Sequence, residues 1–150
     1  MRTSLFIVAF ISESVSSCPS LDGTWRSDHK LTLNYTASYA KIPEHTHEFI
    51  NQIVGTAEIT YSQGLMTMKD VPFRQVEISG KSYDWKGANE SVAYVNLGCT
   101  PYSVAIKYTM YNQEIISLLN FVDNNTYWVY MGSPLLEDVS NSREYFVKVK

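Results

Sequence analysis

The densest group of side chains that could do chemistry lies between Glu44 and Glu48, where two glutamates and two histidines occur in five residues. On a helix, side chains three or four positions apart share a face, so two of them together with His29 could ligate a zinc ion. The zinc-protease motif needs a second histidine three residues after the glutamate of a His-Glu pair, and that position is Asn51. A zinc protease is therefore excluded. The simpler interpretation is a solvated first turn of a helix, and we predict no metal site.

Nucleophilic catalysis has no better support in the sequence. No serine lies in a Gly-x-Ser-x-Gly turn, and Cys99 falls in an apparent turn between Gly98 and Pro101. Asp123 and Glu144 are interpreted as residues of turn bonding and surface solvation rather than of acid–base chemistry. The sequence therefore predicts a protein that is not an enzyme and that needs no cofactor.

The first eighteen residues have the layout of an export signal. Arg2 precedes a short apolar run from Leu5 to Ile11, and Val15 and Ser17 supply small side chains before a cleavage site. The run is too short for a membrane span, which needs roughly 20 apolar residues. We therefore expect a signal peptide over residues 1–17, one domain over 18–150, and a location in the periplasm, the cell envelope or outside the cell.

The two cysteines of the chain, Cys18 and Cys99, leave three states open. An exported chain with two cysteines favours one disulfide. The sequence before Cys18 also resembles the lipobox of bacterial lipoproteins, in which the cysteine carries a lipid, and both thiols could remain reduced. A membrane would be reached only through a lipid anchor on Cys18.

Composition narrows the class of partner and of fold. The formal charge is −3 at pH 7, and no cluster of Lys or Arg supplies the basic footprint that nucleic acid requires. The chain is 13% aromatic and contains eleven tyrosines. Because aromatic and β-branched residues favour pleated strands, an all-β domain is expected.

Alternating apolar and polar residues predict the elements that must hold these side chains. Period-two alternation is found from Leu31 to Tyr35 and again from Ala57 to Tyr61. Further predicted strands, separated by turn residues, cover 65–69, 73–79, 81–86, 91–97, 102–111, 114–122, 126–131 and 144–149. Between Ile42 and Val54 the apolar spacing changes to three and four, which predicts one short helix over about residues 43–54 after the first strand. The predicted fold is an antiparallel up-and-down barrel of about eight to ten strands, with the helix as a lid at one end.

Three short motifs in this layout resemble those of the lipocalins and their calycin relatives. Gly23-Thr24-Trp25 is similar to the Gly-x-Trp motif that opens the first strand. The segment from Val122 to Tyr127, which contains Asp123, is similar to the second motif, and Arg143 matches the late arginine that stacks on the motif tryptophan. The early helix and the strand at the C-terminus are closest to the small bacterial lipocalin-like lipoproteins. For Gly23, Trp25, Asp123, Tyr127 and Arg143 the resemblance implies structural roles.

The resemblance also implies a cup-shaped barrel that holds a small apolar or amphipathic molecule. Four aromatic residues on predicted strands are the candidates for its lining: Trp85, Tyr94, Tyr108 and Trp128. Because fold does not determine function, a second hypothesis stays open. In it the barrel is filled and acts as a structural or protein-interaction module of the envelope, with an unknown protein partner and no small-molecule ligand.

Overall fold

The computed structural model describes residues 17–69, 74–85, 88–131 and 141–149. The predicted signal peptide lies outside the described residues except for Ser17. The two helices are α1 (His29–Tyr39) and α2 (Glu44–Ile53). The strands are β1 (Gly23–Ser27), β2 (Glu58–Ser62), β3 (Leu65–Lys69), β4 (Arg74–Ile78), β5 (Lys81–Trp85), β6 (Ser91–Thr100), β7 (Ser103–Met110), β8 (Gln113–Asp123), β9 (Thr126–Tyr130) and β10 (Arg143–Lys148).

Eight of the strands close into one antiparallel barrel. Around it the strands follow the order β1-β10-β9-β8-β7-β6-β3-β2, while β4 and β5 form a separate two-stranded sheet between β3 and β6 in sequence. The pairing of β1 with β10, from Trp25–Lys148 to Ser27–Phe146, closes the ring. The predicted all-β antiparallel barrel is confirmed, and closure leaves its strands without exposed edges.

The prediction of a strand between Leu31 and Tyr35 is wrong, because this segment belongs to α1. The Asp28 side chain caps the helix by accepting a hydrogen bond of 2.8 Å from the Leu31 amide. Thr32 and Thr36, four positions apart, are its buried residues, and Thr32 Oγ1 accepts a bond of 3.0 Å from the Tyr145 amide of β10. Small hydroxyl side chains therefore form the packed face of α1. Its hydrophobic residues do not have the spacing of three and four that predicts a helix.

The predicted early helix exists as α2, and its principal contacts are with β4. Phe49 and Ile50 are buried, as the apolar spacing predicts. The Gln52 side chain fastens the helix to the hairpin, because its amide donates to Glu77 O at 2.7 Å and accepts from Glu77 N at 2.9 Å. Helix α2 and the β4–β5 hairpin thus form one packed unit beside the barrel.

Cys18 and Cys99 form a disulfide. It links the segment before β1 to the end of β6. The prediction of a turn at Gly98 to Pro101 is wrong in part, because β6 continues through Gly98 to Thr100. The turn begins only at Pro101, because a β-bulge between Asn96 and Gly98 lets the strand extend past the irregular position. A sulfur in this bond cannot carry a lipid thioether, so of the three states left open the structure has the disulfide.

Neither helix among the described residues is long and apolar enough to span a membrane.

Candidate functional site

The barrel end beneath the N-terminal segment is filled. Trp25 is fully buried, and its indole Nε1 donates a hydrogen bond of 2.7 Å to Leu21 O of that segment. The Trp25 ring lies 4.8 Å from the ring of Tyr127 and 5.9 Å from that of Phe121. The residues packed around them are all buried: Tyr61, Val104, Ile106, Leu119 and Phe146. The barrel interior is filled at this closed end, and a cleft of about 500 Å³ borders it between the Cys18 segment and the turns at Tyr102 and Asn124.

A basic side chain lies over the ring of Trp25, but it is Lys148 and not the predicted Arg143. Lys148 Nζ lies 5.2 Å from the centre of the Trp25 ring. Arg143 instead places its guanidinium 3.8 Å from the ring of Trp128 and 4.4 Å from that of Tyr35 in α1. The expected stacking of Arg143 on Trp25 is therefore wrong. Along β10 alternate side chains face opposite sides, which puts Lys148 on the inner face with Phe146 and Arg143 on the outer face.

The other residues assigned structural roles lie where the motifs place them. Gly23 begins β1 with φ 123°, a conformation that L side chains rarely adopt. Asp123 accepts a hydrogen bond of 2.7 Å from the Asn125 amide and so stabilises the β8–β9 turn. Tyr127 is fully buried against Trp25. The predicted closed antiparallel barrel with a buried Trp25 at one end is confirmed.

The barrel end next to the helices has a different interior. Ile59 and Met110 are buried there, but six other apolar side chains point inward and stay only partly buried: Ala57, Met68, Val92, Tyr108, Ile115 and Val129. They lie near the strand ends on the side where β1 leads into α1 and where the β7–β8 turn occurs. We call this end of the interior, where inward-facing side chains keep accessible surface, the open end.

Glu144 brings a carboxyl group to the open end. Its neighbour Tyr145 is on the outer face of β10, where the Tyr145 ring lies 5.8 Å from the ring of Tyr35 in α1. Glu144 therefore points inward, on the same face as the buried Phe146. Ser27 Oγ donates a hydrogen bond of 2.5 Å to Glu144 Oε1, and the Gly55 amide donates to Ser27 Oγ at 2.8 Å. The assignment of Glu144 to surface solvation is therefore wrong.

Burial raises the pKa of Glu144, and the hydrogen bond from Ser27 lowers that pKa in part. No basic side chain in the described part of the chain forms a salt bridge with this carboxylate. Sequence reasoning missed the residue because Glu144 to Val149 alternates too weakly in hydrophobicity to show which face is inner. The signal that identifies Glu144 is its position two residues before the buried Phe146, since residues two apart in a strand share a face.

Two phenols form the floor of the open end. The hydroxyl groups of Tyr61 and Tyr127 lie 3.5 Å apart. Burial raises the pKa of both tyrosines, so each stays neutral near pH 7 and can donate a hydrogen bond. Above them Tyr108 and Ser117 pair their hydroxyl groups at 3.2 Å. The site is thus apolar with a few hydroxyl groups and one carboxyl group.

The four predicted lining residues do not come together. Tyr94 and Tyr108 face the barrel interior, and the Tyr94 ring packs edge-on against Tyr61 at 5.6 Å. Trp128 lies on the outer face, between Arg143 and the ring of Tyr130. The prediction that Trp128 lines a ligand cup is therefore wrong, because its neighbour Tyr127 takes the inner position and successive strand residues alternate.

Trp85 also lies outside the barrel, at the surface of the β4–β5 hairpin. Its ring packs edge-on against Phe49 of α2 at 5.1 Å. The two residues belong to a groove of about 360 Å³, whose other lining residues are His45, Val76, Ile78, Tyr83 and Asp84. This groove is a second apolar surface, separate from the barrel interior.

The metal-ligand candidates stay apart. Within the described ranges no three His, Cys, Asp or Glu side chains are grouped closely enough to hold a metal ion. The His29 ring interacts with Asn51 O at 3.2 Å, which connects the start of α1 to α2.

Comparison with known proteins adds little to this geometry. No family model matches the sequence. No curated protein matches it either. Among solved structures, a fatty acid binding protein of Schistosoma mansoni in complex with arachidonic acid is similar, with 12% identity, a TM-score of 0.34, and coverage of 87% of this chain and 96% of that chain. A TM-score this low establishes neither a shared fold nor a shared ligand, so the barrel assignment rests on the strand pairing of this chain.

Proposed function

We propose that this protein binds a small apolar or amphipathic molecule at the open end of its barrel and does no chemistry on it. The observation that carries the proposal is the contrast between the two ends of one interior. Most inward-facing side chains around Trp25 are buried, whereas around Ile115 several of them, such as Tyr108 and Val129, keep accessible surface. Concave, mostly apolar sites with a few polar groups are typical of small-molecule binding.

A matched pair of neighbouring residues tests the site. Ile115 faces the interior, and Ile116 is on the outer face with 63% of its surface exposed. The neutral lipophilic dye N-phenyl-1-naphthylamine should gain fluorescence with the wild-type chain. Ile115→Trp should abolish this gain because the larger side chain fills the open end, while Ile116→Trp should leave it unchanged.

Two results would contradict the proposal. One is the absence of dye binding to a folded wild-type chain. The other is equal dye binding by the two tryptophan variants, which would place the dye on another surface such as the groove beside Trp85.

We also propose that the protein is exported and acts in the cell envelope or outside the cell. The layout of residues 1–17 supports this, and so does the Cys18–Cys99 disulfide, since such bonds persist in oxidising compartments. Intact mass of protein from its own host tests it. A chain that begins at Cys18 and lacks two hydrogens is expected, whereas an uncleaved chain would contradict export.

One observation favours the second hypothesis, a protein-interaction module. Four apolar side chains on the outer faces of β6 and β8 are about half exposed or more: Val95, Leu97, Ile116 and Leu118. Exposed apolar surface is common at protein interfaces, although here Lys107 of β7 lies between Val95 and Ile116. If the dye does not bind, a partner on this outer face becomes the better explanation of the fold.

A further inference from the structure

We propose that Glu144 selects the head group of the bound molecule, so that the barrel prefers an amphiphile with an ammonium head over one with a carboxylate head. This inference rests on the proposed function and names the ligand class of the same site. It starts from the position of one carboxyl group inside an otherwise apolar space.

Within the described residues the carboxyl group of Glu144 is only half satisfied. Ser27 Oγ donates to Oε1 at 2.5 Å, and no described residue donates to Oε2. The Glu144 side chain keeps part of its surface accessible although it points inward. An acceptor with unused capacity at the border of an open space favours a ligand group that donates hydrogen bonds.

No cation on the described strands reaches this region. Alternation places four basic side chains on the outer face of the barrel: Arg26, Lys69, Lys107 and Arg143. Two of them are paired there, Arg26 with Glu58 at 2.8 Å and Lys107 with Glu114 at 3.1 Å. Lys148 is on the inner face, but it lies over Trp25 at the closed end.

The electrostatic consequence is a preference for one sign of charge. A ligand carboxylate at the open end would meet the Glu144 carboxylate, and no basic side chain of the described strands lies there to offset the repulsion. An ammonium head would complete the hydrogen bonding of Oε2 and compensate the charge, and its alkyl chain would lie against Ile115 and Val129. The phenols of Tyr61 and Tyr127 are neutral and do not alter this preference.

Three ligands with the same ten-carbon chain test the inference: n-decylammonium, n-decanol and n-decanoate. Each displaces N-phenyl-1-naphthylamine from the full chain at pH 7.5, and the displacement curve gives the Kd. Because hydrogen bonds to charged groups are worth about 1.5–3 kcal/mol, we expect decylammonium to bind at least about tenfold more tightly than decanoate. Decanol should lie between them.

Two single-charge variants separate Glu144 from the overall negative charge. Glu144→Gln keeps the shape and can still accept the hydrogen bond from Ser27, and it should weaken decylammonium binding about tenfold without changing decanol binding. Glu114→Gln removes one charge from the outer face and should change neither. A thermal melt establishes that both variants are folded.

Each outcome decides one claim. If decanoate binds as tightly as decylammonium while the dye binds, the head-group inference fails and the proposed function stands. If decylammonium is preferred but Glu144→Gln and Glu114→Gln behave alike, the preference comes from net charge and Glu144 does not select the ligand. If the dye does not bind the wild-type chain, the proposed function fails and the inference fails with it.

Discussion

Removal of the Cys18–Cys99 disulfide should cost this protein a large part of its stability. The bond joins residues 81 positions apart, with their Cα atoms separated by 5.6 Å, within the usual range for a disulfide. Cross-linking so long a loop restricts the unfolded chain, and the chain-entropy relation gives about 4.5 kcal/mol for a loop of this length. Whole domains of this size are stabilised by about 5–15 kcal/mol.

The same bond also holds the segment that closes the barrel. Leu21 lies three residues after Cys18, is buried in the core, and accepts the indole hydrogen bond of Trp25. We therefore expect the loss in the variant to come from two sources, namely a less restricted unfolded chain and a closed end that opens more readily. Both act in the same direction.

The measurement is urea unfolding of the wild-type chain and of Cys18→Ser/Cys99→Ser, followed by far-ultraviolet circular dichroism. We expect the double variant to lose about 4 kcal/mol of unfolding free energy. Wild type treated with a reductant serves as the control and should behave like the double variant. A difference below about 1 kcal/mol, for wild type whose mass proves the disulfide, would refute this account of the closed end.

Four further predictions follow from particular contacts. Trp25→Ala should cost about 3–5 kcal/mol in urea unfolding, because it leaves a cavity at the closed end. Gly55→Ala should cost about 1–3 kcal/mol in the same assay, since its backbone has φ 82° and a new Cβ would lie 2.6 Å from His29 Cβ. Trp128→Ala should leave dye binding unchanged, because the side chain is outside the barrel; a loss of binding would place Trp128 in the site. The raised pKa of Glu144 means that the folded state binds its proton more tightly than the unfolded state, so the stability from this proton is present at low pH and is lost as pH rises through the folded pKa. Unfolding measured from pH 4 to 8 should therefore show Glu144→Gln gaining on wild type as pH rises, and parallel pH profiles would contradict this.

The strands after residue 56 could be predicted from the sequence, and helix α1 could not. From Ala57 onward, alternation and turn residues mark nearly every strand, because one face of each is buried and the other is solvated. In α1 the packed face consists of Thr32 and Thr36, whose hydroxyl side chains carry no hydrophobic signal. Leu31, which is exposed, begins an alternation of apolar and polar residues that is typical of a strand. The strand prediction failed here because the contacts that bury one face of α1 are with β10, more than 100 residues later in the chain.

The candidate site shows the same division. The sequence by itself determined the closed antiparallel barrel, the buried Trp25 at one end and the pairing partners for a disulfide, because these depend on local period, motif and cysteine count. Only the tertiary structure decided which side chains line the open end. A shift of one residue exchanges the inner and outer faces of a strand, and this exchange separates Tyr127 from Trp128 and Glu144 from Arg143. The carboxyl group inside the barrel, and with it the predicted ligand class, became visible only when the register of β10 was known.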